Sequence, residues 1–184
     1  MEMKKMKLGD VCEIFGRIGF RGYTADDLVK SPEEGAVTLS PTNIVNGELD
    51  FSNPTYLNWK KYEESPEIKL NEGDIVVVKT ASVGKTALVR KLPHPTTLNP
   101  LFVVLKRIQT NPIYLSYVVK GKCFQSALKA ITAGSVVPTL SQYHLANIEI
   151  YLPDMTSQNR VASVLSALDD KIALNQRINR NLAA

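Results

Sequence analysis

Five consecutive residues near the middle of the chain, Ser82-Val83-Gly84-Lys85-Thr86, are of the types that cradle a phosphate. A nucleotide-binding loop needs a glycine five positions before the one at Gly84, so that backbone amides can wrap the anion. That position is Lys79. The segment after Thr86, Ala87-Leu88-Val89-Arg90-Lys91-Leu92-Pro93, is patterned as a strand, whereas phosphate capture needs a helix N-terminus. Nucleotide hydrolysis is therefore excluded. What remains is a basic loop between two strands, with Lys79, Ser82 and Lys85 around its tip and Arg90 and Lys91 beyond it, all suited to the phosphates of a nucleic acid.

A second segment carries different chemistry. Gly16-Arg17-Ile18-Gly19-Phe20-Arg21-Gly22-Tyr23 sets two arginines and two aromatics among three glycines. Two readings stand: a structural hairpin whose rings cover the core, or a loop that offers guanidinium and ring faces to bases, with Arg17 and Arg21 each able to fork onto guanine in a major groove and Tyr23 beside them. Asn99-Pro100-Leu101-Phe102 is close to the Asn-Pro-Pro-aromatic motif of amino-group DNA methyltransferases, but its third residue departs and no glycine-rich cofactor turn precedes it. It reads as a turn into a strand. His94, His144, Cys12 and Cys123 have no metal-ligand spacing, and no Ser-His-Asp set or acidic pair is visible. No catalytic residue, metal or cofactor is expected.

Charge supports the binding reading over the catalytic one. Residues 1–74 carry 9 basic and 14 acidic side chains, while residues 75–148 carry 9 basic and no acidic ones. The cations of the second block are Lys79, Lys85, Arg90, Lys91, Lys106, Arg107, Lys120, Lys122 and Lys129. Either acids elsewhere in the fold neutralise this block, or it faces a polyanion; the second reading is favoured.

The elements that must position these residues follow from apolar patterning. The 184 residues are 44% hydrophobic and 22% charged, an ordinary globular composition. No signal-peptide run or stretch of 18 apolar residues occurs, so a cytoplasmic chain without membrane contact is expected. Strands are predicted at 36–39, 75–79, 86–90, 101–106 and 148–152. Asn111-Pro112 predicts a helix start, with Leu115, Val118 and Val119 inward; after a break at Gly121, Phe124, Leu128 and Ile131 repeat at helical spacing. From Thr156, a plausible N-cap, Val161, Leu165, Leu168 and Ile172 recur at helical spacing, and Asn175, Asn179 and Leu182 continue the strip. Residues 157–184 contain no proline or glycine, and at 1.5 Å per residue they make a helix of about 42 Å. Such a rod either folds back over its own domain or pairs with another helix through Val161, Leu165, Leu168, Ile172, Asn175 and Leu182. The asparagines in the strip favour pairing, because polar seam positions set register.

Several segments together resemble the specificity subunits of type I restriction–modification enzymes. Lys7-Leu8-Gly9-Asp10-Val11 is similar to the opening of their target recognition domain, and Leu70–Gly84 (LNEGDIVVVKTASVG) to a strand–loop of that domain. Gly134-Ser135, Pro138-Thr139-Leu140-Ser141 and Leu145-Ala146-Asn147-Ile148 resemble the segment before the conserved region. Leu168-Asp169-Asp170-Lys171-Ile172 with Asn175-Gln176-Arg177-Ile178-Asn179 resembles the conserved helix. The resemblance implies an α/β (α+β) fold: a globular mixed-sheet recognition domain over residues 1–152, followed by one long helix over 153–184 for antiparallel coiled-coil pairing. It also implies reading of half a bipartite double-stranded DNA target, docking of modification (methyltransferase) and restriction subunits, and chemistry carried by those partners. The chain departs from the family in having Ser157-Gln158 where Glu-Gln is usual, and in holding one recognition domain and one helix where full subunits hold two of each. A half-subunit that pairs with itself as a homodimer, or a fragment, is expected. The competing readings are a methyltransferase fragment, the recognition domain of a fused restriction–methylation enzyme, and a helix-pairing assembly module that binds no DNA.

Overall fold

The structure is a computed structural model that describes residues 2–133 and 139–182, without the side chains of residues 177, 180 and 182. The expected motif residues Gly134, Ser135 and Pro138, and the Leu182 side chain, therefore lie outside the described residues.

In chain order the strands are β1 (Lys4–Lys7), β2 (Glu13–Gly16), β3 (Leu28–Val29), β4 (Gly35–Leu39), β5 (Ile44–Val45), β6 (Glu48–Leu49), β7 (Tyr56–Asn58), β8 (Ile75–Val78), β9 (Thr86–Leu88), β10 (Thr96–Leu98), β11 (Phe102–Lys106) and β12 (Glu149–Leu152). The helices are α1 (Trp59–Glu63), α2 (Pro112–Lys120), α3 (Lys122–Thr132), α4 (Gln142–Ala146) and α5 (Met155–Leu182).

The run Ile75-Val76-Val77-Val78 explains the layering. All four residues are buried, which requires cover on both faces of the strand. Ile75 and Val77 join a core shared with α2, α3, α4 and β12, while Val76 and Val78 join a second core with β4 and β10. In β11, Val103 and Leu105 face the first core, and Phe102 and Val104 the second. The central antiparallel sheet, in order β2-β11-β8-β9, thus lies between a helical layer and a second, mixed sheet in order β10-β4-β7-β3, where β10 and β4 run parallel. This is the mixed α+β architecture that the resemblance implies. The strand at Leu101–Lys106 begins one residue later than expected, and the β9 strand ends at Leu88 rather than Arg90.

Helix starts obey local capping. The Asn111 side chain accepts a hydrogen bond from the Tyr114 amide at 2.8 Å, and Pro112 occupies the first turn. Within α3, Phe124 and Leu128 are buried, but Ile131 stays exposed because it sits in the last turn, past the edge of the core. At the long helix the expected cap is corrected by two residues: Asp154, not Thr156, accepts from the Ser157 amide at 2.9 Å and the Ser157 hydroxyl at 2.7 Å. These bonds hold the Asp154 carboxyl below its usual range. A group depressed in the folded state stabilises above its unfolded value near 3.8 and loses that contribution as pH falls through the folded value. Asp154→Ala is therefore expected to lower the thermal midpoint at pH 6 and to have a shrinking effect as the pH is taken below 3, as read by circular dichroism melts.

Among the described residues no helix is long and apolar enough to cross a membrane.

Candidate nucleic-acid interface

Sheet register gathers the basic loop and the arginine–aromatic loop at one end of the molecule. Gly16 pairs with Val103, Phe102 with Val78, and Val77 with Thr86. The chain therefore leaves β2 into residues 17–23, leaves β8 into residues 79–85, and enters β11 from residues 99–101, all at the same end of the central sheet. Thr139 bridges to Thr80, and the Leu140 amide donates to the Lys79 carbonyl at 2.8 Å, so the segment before α4 joins this end. The Gln142 amide then meets Ile14 O and Gly16 N at 3.3 and 3.0 Å.

The β8–β9 loop is held, not floppy. The Val78 amide donates to Lys85 O at 2.9 Å and the Gly84 amide to Val78 O at 3.1 Å. Gly84 has a φ of +94°, a conformation that favours glycine, and a Cβ there would run into the Gln125 carboxamide. Gln125 in turn donates to Gly84 O at 3.0 Å and to Val119 O at 2.7 Å, tying the loop to the α2–α3 corner. A strand, not a helix, follows Lys85, which agrees with the exclusion of a nucleotide-binding loop. The Asn99 side chain accepts from the Leu101 amide at 2.9 Å, making the turn expected there.

The carboxylate-free block divides into two parts. Arg90, Lys106, Arg107 and Lys120 meet acids from outside it: Glu48 and Asp170, Asp74, Glu13, and Glu48 respectively. Lys106 and Arg107 lie at the opposite end of the central sheet. Lys79, Lys85, Lys91, Lys122 and Lys129 have no ion pair among the described residues, and of the loop residues Ser82 and Lys85 are exposed. Arg90, expected as a phosphate contact, is exposed and bridges Glu48 to α5, where it also donates to Ser166 at 3.2 Å. Lys91 is exposed and lines a surface hollow with Glu48 and Arg90.

Arg17 is the larger correction. Only 6% of it is exposed. Its guanidinium donates to Leu98 O at 3.2 and 3.1 Å, Thr97 Oγ1 at 3.4 Å, Ser65 Oγ at 3.3 Å and Arg21 O at 3.2 Å. It lies 5.1 Å from the Tyr23 ring centroid. Burial lowers its pKa, while Tyr23, Glu67 and Glu64 oppose that shift. With its donors spent inside the protein, Arg17 is not placed to reach a groove; it anchors the loop of residues 17–23. Tyr23 is tied inward as well, with its hydroxyl 3.0 Å from that of Thr38. Arg21 is half-buried beside Glu67 at 3.4 Å. The side chain that projects is Phe20, 84% exposed. Its place among glycines was the available signal, but sequence patterning does not say which ring of the loop is turned out.

The long helix is docked over its first half, and from Asp170 on the described side chains are exposed. Gln158 and Ala162 are buried, and Gln158 accepts from the Asn111 amide at 3.1 Å, pairs with the Thr110 hydroxyl and donates to Pro153 O at 2.9 Å. Tyr117 donates to Asp169 at 2.7 Å, and burial together with that carboxylate pushes the Tyr117 hydroxyl up to about 12. Of the expected seam residues, Val161 packs against the core of the domain and Leu165 is half-buried. The apolar side chains left open are Val164, Leu168, Ile172, Leu174 and Ile178, with Asn175 exposed among them.

The model of the type I restriction–modification DNA specificity domain matches residues 1–184. The chain belongs to this family. The MjaIX specificity subunit of the type I restriction enzyme from Methanocaldococcus jannaschii is 28% identical over 185 residues, which cover 98% of this chain and 40% of that subunit. The chain thus spans about two fifths of the length of that relative. Two solved structures share the fold: a chain from a type I restriction–modification system described for its assembly and conformational transition, with a TM-score of 0.68, 16% identity and cover of 95% of this chain and 40% of that one; and the HsdS subunit of Thermoanaerobacter tengcongensis, with a TM-score of 0.65, 16% identity and cover of 95% and 39%. The type I specificity family is a non-catalytic one, and a specificity domain is what the match describes. In this member the acid missing at Ser157 is supplied one turn earlier by Asp154, which places a negative charge at the positive end of the helix.

Proposed function

We propose that this specificity domain binds double-stranded DNA in the cytoplasm with the loop end of its central sheet and reads one half of a bipartite target. The α5 rod spaces that end from a counterpart helix, pairs antiparallel with it, and docks the modification and restriction subunits that methylate and cleave. Residues 1–152 act as the recognition unit and residues 153–184 as the spacer. Two copies paired about a twofold axis place two recognition ends on one symmetric bipartite target.

The observation that carries this reading is the gathering of three loops at one sheet end, where Lys79 and Lys85 have no ion pair among the described residues, while Lys106 and Arg107 at the other end are paired. Lys79 and Lys85 supply phosphate contacts, and exposed loop side chains read base edges. Replacing both lysines by alanine is expected to weaken binding to all duplexes alike and to lower the slope of log affinity against log salt by about 2, since each phosphate contact contributes about 0.9. A titration of matched and scrambled duplexes at several salt concentrations measures this; an unchanged slope refutes the assignment. The wider reading is tested by co-purifying the chain with its modification subunit and sequencing the methylated sites. A bipartite methylated motif that vanishes without the chain is expected. Methylation that does not depend on the chain overturns the proposal.

A further inference from the structure

The loop of residues 17–23 presents an apolar ring where a binding surface for phosphates would place only polar groups. Phe20 is 84% exposed and Ile18 beside it 39%. A lone exposed hydrophobe is common on protein surfaces, but this one is mounted on a braced support. Residues Gly19–Arg21 form a tight turn closed by Arg21 N to Ile18 O at 2.9 Å and Gly22 N to Gly19 O at 3.2 Å. The buried Arg17 guanidinium holds the base of the turn through Arg21 O and the β10 backbone at Leu98. The Arg21 guanidinium sits 5.5 Å from the Phe20 ring centroid and is itself tied to Glu67. The turn rises from the same sheet end as Lys79 and Lys85.

We propose that Phe20, flanked by Ile18, is an apolar wedge that inserts between adjacent base pairs of the bound duplex and unstacks them. The proposal rests on the DNA-binding reading above and names how the loop engages the target. A ring inserted at a base step trades one stack for another and reads the step by its ease of opening, so it adds specificity at a position without a hydrogen bond. Arg17 sets the rigidity this needs, because a wedge on a mobile loop would fold back onto the protein rather than enter the stack.

The test uses the full chain with its modification subunit and duplexes carrying one of the methylated sites mapped above, with 2-aminopurine placed at each position in turn. Wild type is expected to raise the fluorescence at one step several-fold. Phe20→Ala is expected to abolish that rise in the saturated complex and to weaken affinity for the matched duplex about tenfold, with an unchanged salt slope and thermal midpoint. Phe20→Trp is expected to restore the fluorescence. Replacing Lys79 and Lys85 by alanine weakens binding yet keeps the rise once the complex is saturated. A bound wild type with no bright step, or a Phe20→Ala complex as bright as wild type, overturns the wedge and leaves DNA binding standing. Loss of the modification subunit from Phe20→Ala also overturns it, by making the ring a protein contact. Failure of wild type to bind any duplex removes the wedge together with the reading beneath it.

Discussion

Lys106→Met is expected to cost about 3–5 kcal/mol of folding stability, the range for breaking one side of a buried ion pair. Lys106 and Asp74 meet at 2.7 Å with side chains only 12% and 8% exposed. Asp74 Oδ2 also accepts from the Asn71 amide at 2.8 Å, and Lys106 Nζ also donates to the Lys69 carbonyl at 2.6 Å. Methionine keeps the stem but leaves the Asp74 charge buried with a single backbone donor, and leaves the Lys69 carbonyl without its partner. The pair joins the start of β8 to the end of β11, so its loss loosens the two strands whose other ends carry the candidate interface. The double replacement Lys106→Met with Asp74→Leu is expected to regain most of the loss, because it removes the stranded charge along with its partner. Urea unfolding of wild type, the two single variants and the double variant measures the coupling. A single-variant loss below about 1 kcal/mol would show that the pair is compensated by solvent and would refute the argument.

The second large effect is expected at Arg17. Hydrogen bonds from a charged donor contribute about 1.5–3 kcal/mol each, and their effects overlap when one side chain makes several. Arg17→Met strands Leu98 O, Thr97 Oγ1, Ser65 Oγ and Arg21 O in a site with little access to water. A loss of about 3 kcal/mol is expected, with faster amide exchange across residues 18–23 as the turn comes off its anchor. Arg17→Lys is expected to recover only a minor part, since a single ammonium cannot span acceptors that the planar guanidinium reaches from three nitrogens. Denaturant unfolding with hydrogen exchange checks both results. Unchanged exchange in residues 18–23 would mean that the turn is held by its own backbone bonds instead.

These residues also show where reading the sequence succeeds. Patterning places the strands around Ile75–Val78 and Phe102–Lys106, the cap at Asn111 and the long terminal helix, because apolar periodicity and capping are local properties that a few neighbouring residues express. The exclusion of a nucleotide loop at Ser82–Thr86 holds for the same reason: the following strand is visible in its composition. The candidate interface is legible only in part. The basic loop at Lys79–Lys85 is found by charge, whereas the arginines of residues 17–23 are assigned to base contact by their type alone. Side-chain type does not reveal that Leu98, Thr97 and Ser65, 48 to 81 residues away in the chain, converge around one guanidinium.

The same divide holds for charge and for the helix seam. A block of residues 75–148 without carboxylates is a fact of composition, but which of its cations stay free depends on Glu13, Glu48, Asp74 and Asp170 arriving from elsewhere. A strip at helical spacing predicts that α5 must cover an apolar face, and α2 takes up only the part near Gln158 and Ala162, leaving Leu168 and Ile172 open. The chain by itself therefore determines its strongly patterned elements, its family motifs and the sign of its charge, since these depend on residue identity and short-range spacing. Tertiary structure alone decides which arginine is an anchor, which ring faces outward and which half of the rod is exposed, because burial and pairing depend on distances between segments that lie far apart along the backbone.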